Sequence, residues 1–185
     1  MKYFGRILFA FSVLVLSCEG DPGPPGRDGR DGLDGLDGDA LLGTVFETQP
    51  IDFNVGNDFS TIFAFPNNFE VFDTDAILVY LLEDVTDDGN GGQADIWTPL
   101  PQTYFLTEGT LLYSFNHTYF DVAIFLDGDY DLSLSPVGFT QDQIFRIVVV
   151  PADPFGSANL DTSNFQQVLN ALGKNESDII KVSAQ

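Results

Sequence analysis

From residue 42 onward, short apolar runs alternate with clusters of turn-forming residues. Strands are expected over residues 42–48, 60–65, 76–82, 97–106, 110–117, 119–126 and 144–150. Breakers separate them: Pro66-Asn67-Asn68, the run DDGNGG at 87–92, Glu108-Gly109, Asp127-Gly128 and Pro151. The run AILVYLL at 76–82 is apolar at every position, the pattern of a strand covered on both faces. GTLLYSFNHTYF at 109–120 alternates instead. Leu111, Tyr113 and Phe115 fall on one side, and Ser114, Asn116 and Thr118 on the other. Strands at this spacing with no helix between them predict a mainly β head, 41–185, of the β-sandwich class with Greek-key or jelly-roll connections.

Near the end the period changes. In DTSNFQQVLNALG, residues 161–173, Phe165, Val168, Leu169 and Leu172 recur at helical spacing. Ser163 and Gln166 read as a capping box and Gly173 as the stop. A C-terminal helix over about 161–173 is expected to pack on one end of the sandwich.

The first forty residues follow neither pattern. Lys2 and Arg6 precede an apolar run at 7–16, the form of a secretory signal and too short to span a bilayer comfortably. Val15-Leu16-Ser17-Cys18 resembles a bacterial lipobox. That resemblance implies a signal peptide at 1–17, cleavage before Cys18, a diacylglycerol thioether on its sulfur and an acylated amino group. Cys18 is the only cysteine, so it has no disulfide partner within the chain. Several acyl chains anchor firmly, because each buried CH₂ contributes ~0.8 kcal/mol. Glu19 and Asp21, directly after the cysteine, resemble the surface-export signal of Bacteroidetes lipoproteins. The implied location is the bacterial envelope: an outer-membrane lipoprotein facing outward, held to the membrane by lipid alone.

Glycine then returns at every third position: Gly20, Gly23, Gly26, Gly29, Gly32, Gly35 and Gly38. Three polyproline-II strands wind together only where every third residue lacks a side chain, so 18–40 is a collagen-like segment behind the lipidated cysteine. Pro22, Pro24 and Pro25 pre-set the φ that this helix needs. At ~3.1 Å per residue, the 21 residues of the run reach roughly 65 Å. Two states fit it: a homotrimeric triple helix, helped by Arg27 and Arg30 beside Asp28 and Asp31, and a monomeric extended spacer.

Charge narrows the functions. There are 28 acidic against 7 basic side chains, and loss of the leader would remove Lys2 and Arg6. Such a chain repels phosphate backbones, which excludes nucleic acid as a partner. The head holds one histidine, His117, no cysteine and no phosphate-cradling glycine loop, so no enzyme is expected. No cofactor is required. The nearest approach to a metal site is LDGDYDL, where Asp127, Asp129 and Asp131 alternate as hard oxygen ligands for Ca²⁺ would. It departs from an EF-hand loop at Leu132 and Gly138, where a glycine and a bidentate acid belong. Asp87, Asp88 and Asp95 form a second acidic loop. Trp97, Tyr104, Tyr113 and Tyr119 would stack sugars if they were exposed together.

Taken whole, the lipobox, the Gly-X-Y run and the Phe-rich acidic head, with segments such as GTVFET, LPQTYF and QIFRIVVVPAD, resemble the collagen-like repeat surface lipoproteins of marine Bacteroidetes. The resemblance implies location and architecture without an activity. Two functions remain open at this point: a structural or adhesive stalk that presents its head to a protein or glycan ligand, and a module that binds Ca²⁺ or carbohydrate.

Overall fold

The computed structural model describes residues 43–152 and 161–183. The leader, Cys18 and the glycines Gly20 to Gly38 lie outside the described residues. Within them the chain is mainly β, with two sheets and one α-helix. The strands are β1 (Thr44–Thr48), β2 (Ser60–Ala64), β3 (Ala76–Asp87), β4 (Gln93–Pro99), β5 (Gln102–Phe105), β6 (Thr110–His117), β7 (Asp121–Gly128), β8 (Phe145–Val150) and β9 (Ile180–Val182). The helix, α1, is Phe165–Ala171.

One sheet runs β4-β3-β8-β1-β9 and the other β2-β7-β6-β5. Pairing is antiparallel except between β1 and β9, where Phe46 lies beside Ile180 and Thr48 beside Val182. The chain passes from one sheet to the other four times, after β1, β2, β4 and β7.

Period-two alternation builds the core. Phe46, Ile77, Val79, Leu81, Phe145, Ile147 and Val149 from the five-stranded sheet join Phe63, Leu111, Tyr113, Val122, Ile124 and Leu126 from the four-stranded one in a single buried cluster. Complete burial of side chains of this size contributes about 1.5–3 kcal/mol each. The opposite side of the five-stranded sheet is also covered. Val45, Tyr80, Val148 and Val150 pack there against Phe165, Val168, Leu169 and Leu172 of the α1 segment. Every residue of β8 is therefore buried, and the uninterrupted apolar run in β3 has a cause.

Four sequence expectations need correction. The helix lies on the outer face of the five-stranded sheet rather than at one end, because its apolar stripe meets the second face of β3 and β8. Its N-cap is Asn164, whose side chain accepts from Gln167 N at 3.0 Å; Ser163 instead turns back to Asp161. Residues 97–106 are two strands in different sheets, parted at Leu100-Pro101 where proline has no N–H for the ladder. β3 runs five residues beyond 82, with a bulge at Glu83, into its hairpin with β4. Gly173 does end the helix: it takes φ +65°, and Lys174 N reaches Leu169 O at 3.0 Å in a Schellman closure.

Gly43 sets how the chain meets this body. A methyl group there would lie 2.4 Å from a Leu172 Cδ atom and 2.8 Å from the Val149 carbonyl oxygen. Leu172 is fully buried and the carbonyl belongs to a central strand, so neither yields cheaply. Gly43→Ala is expected to destabilise the head by about 1–3 kcal/mol, read as a lower urea midpoint at unchanged m value.

Candidate functional site

The charged centre of the head is internal. Arg146 sits in β8 with its side chain on the α1 side, and it is 3 % exposed. A guanidinium so placed needs every donor engaged, since a buried unpaired charge is costly. Its Nε donates to Glu47 Oε2 at 2.9 Å, while Nη1 and Nη2 form a fork on Glu176 Oε1 and Oε2 at 3.0 and 2.6 Å. Its planar group lies 4.0 Å from the centre of the Trp97 ring and 4.7 Å from that of Phe165. Lys181 reaches Glu47 Oε1 at 3.1 Å from β9. Glu47 is on β1, Trp97 on β4, Phe165 on α1 and Glu176 in a turn before β9. One cation thus ties five segments, and two carboxylates balance two cations.

Beside it opens a cavity of about 500 Å³ lined by Gln93, Asp95, Trp97, Asn164, Phe165 and Glu176. Ser163 also lines it, and its hydroxyl donates to Asp161 Oδ1 at 2.6 Å in the turn before α1. The Arg146 network reads as a fastening of α1 and β9 to the sheet.

Three tyrosines have phenols that hold their protons more tightly than usual. Burial, then the Asp161 charge, raises that of Tyr80, which donates to Thr162 O at 2.7 Å. Burial raises that of Tyr113, whose single hydroxyl hydrogen is directed at Phe139 O with Gln143 Oε1 also within reach at 3.2 Å. Tyr104 is pushed up to about 12 by burial and by the neighbouring Glu83 carboxylate.

The acidic triplet read as a Ca²⁺ candidate is divided among separate turns. Asp127 accepts from Gly128 N at 2.8 Å, and Asp129 reaches back to Thr110 N at 2.6 Å. Asp131 caps the turn Leu132–Leu134 through Ser133 N at 3.0 Å, and the Ser133 bonds hold its carboxyl below the usual range. Asp88 is held down in the same way by Asn90 N and Gly92 N in the β3–β4 hairpin. Among the described residues no three acidic, histidine or cysteine side chains gather as a metal-binding group.

The four aromatics considered for sugar stacking do not share a face. Tyr113 is wholly buried, Trp97 lies over Arg146, and Tyr104 packs on Tyr113 and Phe139 at 5.8 and 5.0 Å. Only Tyr119 stands out, and its exposed companions are Phe72 and Phe120.

Register places these three. Thr44 pairs with Val149 and Ala76 with Val150, so β1 and β3 begin, and β8 ends, at the end where Gly43 brings the chain in. The 65–75 connection joins that end to the close of β2, where Ala64 pairs with Asp121 and His117 with Val122. Phe72, His117, Tyr119 and Phe120 therefore belong to the Gly43 end. The opposite end carries the turns that expose Val55, Phe105, Leu134 and Val137. Among the described residues no helix is long and apolar enough to cross a membrane. Compared with known proteins, the chain matches no family model, no curated protein and no solved structure.

Proposed function

We propose that this chain is a non-enzymatic surface lipoprotein of the collagen-like repeat type, in which a lipidated Cys18 and a Gly-X-Y stalk display an acidic β head at the bacterial outer membrane. The head is read as one β-sandwich with Greek-key-like crossings, because one apolar cluster draws on the inner faces of both sheets. Its role is structural or adhesive, toward protein or glycan partners of the envelope surface.

The observation that carries this reading is the order of the parts along the chain. The cysteine comes first, seven glycine triplets follow, and Gly43 then packs tightly under Leu172 as β1 begins. Val55, Leu134 and Val137 are exposed at the end of the head away from Gly43, a surface on which partners could be met. The charge distribution agrees. Arg146 is consumed internally, which leaves Lys174 and Lys181 as the other basic side chains of the described residues. The outer surface is thus strongly acidic, which favours solubility and disfavours nucleic acid.

Intact mass spectrometry of protein taken from native membranes tests the reading. The expected product begins at residue 18 and carries a diacylglyceryl thioether and an N-acyl group. An unacylated Cys18, or a leader still attached, would overturn it. Protease added to whole cells is expected to remove the head, as it would only from the outer face.

A further inference from the structure

The tip of the β3–β4 hairpin carries a reactive dipeptide. Asn90 is followed by Gly91, and it is the only asparagine of the chain with a glycine after it. Residues 83–93 are all exposed, so this arm stands clear of the core. The turn engages its amides with one exception. Gly89 N donates to Asp87 Oδ1 at 2.6 Å, Asn90 N and Gly92 N donate to Asp88 Oδ1 at 2.8 and 2.9 Å, and Asp88 N donates to Gly92 O at 3.1 Å. Gly91 N has no partner among the described residues. Gly91 takes φ +85°, and a methyl group placed on it would meet nothing within 4 Å. The Asn90 side-chain amide is tied only through Nδ2, 3.5 Å from Asp88 O, a separation at the limit of a hydrogen bond.

Other asparagines are held differently. Asn54, Asn164 and Asn175 accept backbone N–H groups through their side chains as caps. Val55, Phe165 and Glu176 follow them, each with a side chain that crowds its own nitrogen. At Asn90 the neighbouring nitrogen is unbonded and unhindered, and it lies one ring closure from the side-chain carbonyl carbon. Proximity of that kind replaces a second reactant.

We propose that Asn90 is a site of self-deamidation built into this turn. Gly91 N gives its proton to solvent and bonds to Asn90 Cγ. The Cγ–Nδ2 bond breaks, the nitrogen leaves as ammonia, and a cyclic imide remains. Water then adds to one of the two ring carbonyl carbons and breaks its bond to nitrogen, which leaves aspartate or its β-linked isomer. One water is consumed and one ammonia released, with no change of oxidation state. Either product adds a carboxylate beside Asp87 and Asp88. The β-linked product also inserts a methylene into the backbone of the loop that Asp88 N closes on Gly92 O. The arm thus records the age of the molecule, while the core is untouched.

The purified full chain, held at mildly alkaline pH and then digested with chymotrypsin, tests this by chromatography and mass spectrometry. The expected result is loss of the Asn90 peptide and growth of two isomers of equal mass, each heavier by the exchange of NH₂ for OH. Conversion should quicken as pH rises, because the attacking nitrogen must lose its proton. Fresh and aged protein should melt at the same temperature. Gly91→Ala crowds the nitrogen and should slow the loss, although it strains a turn at φ +85°. Asn90→Gln leaves the backbone alone but demands a larger ring, and should stay intact. An Asn90 peptide that persists in the folded chain yet converts in urea would overturn the proposal, since the turn would then protect it. Equal conversion at Asn54, Asn164 or Asn175 would overturn it too, since the turn would then confer no selectivity.

Discussion

Arg146→Ala is expected to destabilise the head by about 3–5 kcal/mol, because removing one partner strands the other's charge in a dry place. Glu47 bears that cost. Its side chain is 12 % exposed, and without Arg146 it keeps Lys181, itself 70 % exposed, as its partner. Glu176 is 59 % exposed and turns to water, so Glu176→Ala should cost only about 1 kcal/mol. Arg146→Lys keeps the charge but loses the fork on Glu176 and the flat group between Trp97 and Phe165, and should fall between the two. Urea midpoints of the three variants check the order. A loss below about 1 kcal/mol for Arg146→Ala would mean that the network contributes nothing beyond a surface pair.

A second large effect is expected at high pH. Tyr80 and Tyr113 are wholly buried, and both phenols hold their protons well above the ordinary range. In the unfolded chain each ionises near pH 10. Below that pH both states are protonated and these groups make stability independent of pH. Above it the unfolded state binds fewer protons, so stability falls as pH rises toward the folded-state values. Two such groups give a slope of about 2.7 kcal/mol per pH unit, and a loss of roughly 3 kcal/mol between pH 9 and 11. Tyr113→Phe should lower the slope by its own share of about 1.4 kcal/mol per pH unit, while lowering stability at pH 7 by about 1–2 kcal/mol through the lost bonding to Phe139 and Gln143. Denaturation curves at pH 7, 9, 10 and 11 read both quantities, and equal slopes for the variant and the wild type would refute the assignment.

Strands whose side-chain pattern is set by burial were legible from the residues alone. β6 begins and ends where the alternation of Leu111, Tyr113 and Phe115 does, and the unbroken apolar run in β3 announced a second covered face. What covered that face was less plain, since a helix at the end and a helix on the sheet share one periodicity. Apolar continuity concealed the break at Leu100-Pro101, although two prolines flank Leu100. β9 has three residues and a lysine, too short for any period to show; the open edge of β1 makes it a strand. Arg146 left a usable trace, a lone cation inside QIFRIVVV, where an unpaired charge would be intolerable. Alternating aspartates suggested convergence because spacing alone does not reveal that the chain turns at Gly128. Tyr113 already belonged to the inward set of β6, so its absence from any exposed aromatic face followed from the same alternation.

The parallel seam between β1 and β9 also governs when the fold can close. Phe46 and Thr48 find their second neighbours only at Ile180 and Val182, and Gln49 N awaits the Val182 carbonyl at 2.8 Å. A chain that stops before Lys174 has neither that strand nor the Glu176 half of the arginine clamp, which leaves the edge of β1 and the buried guanidinium short of partners.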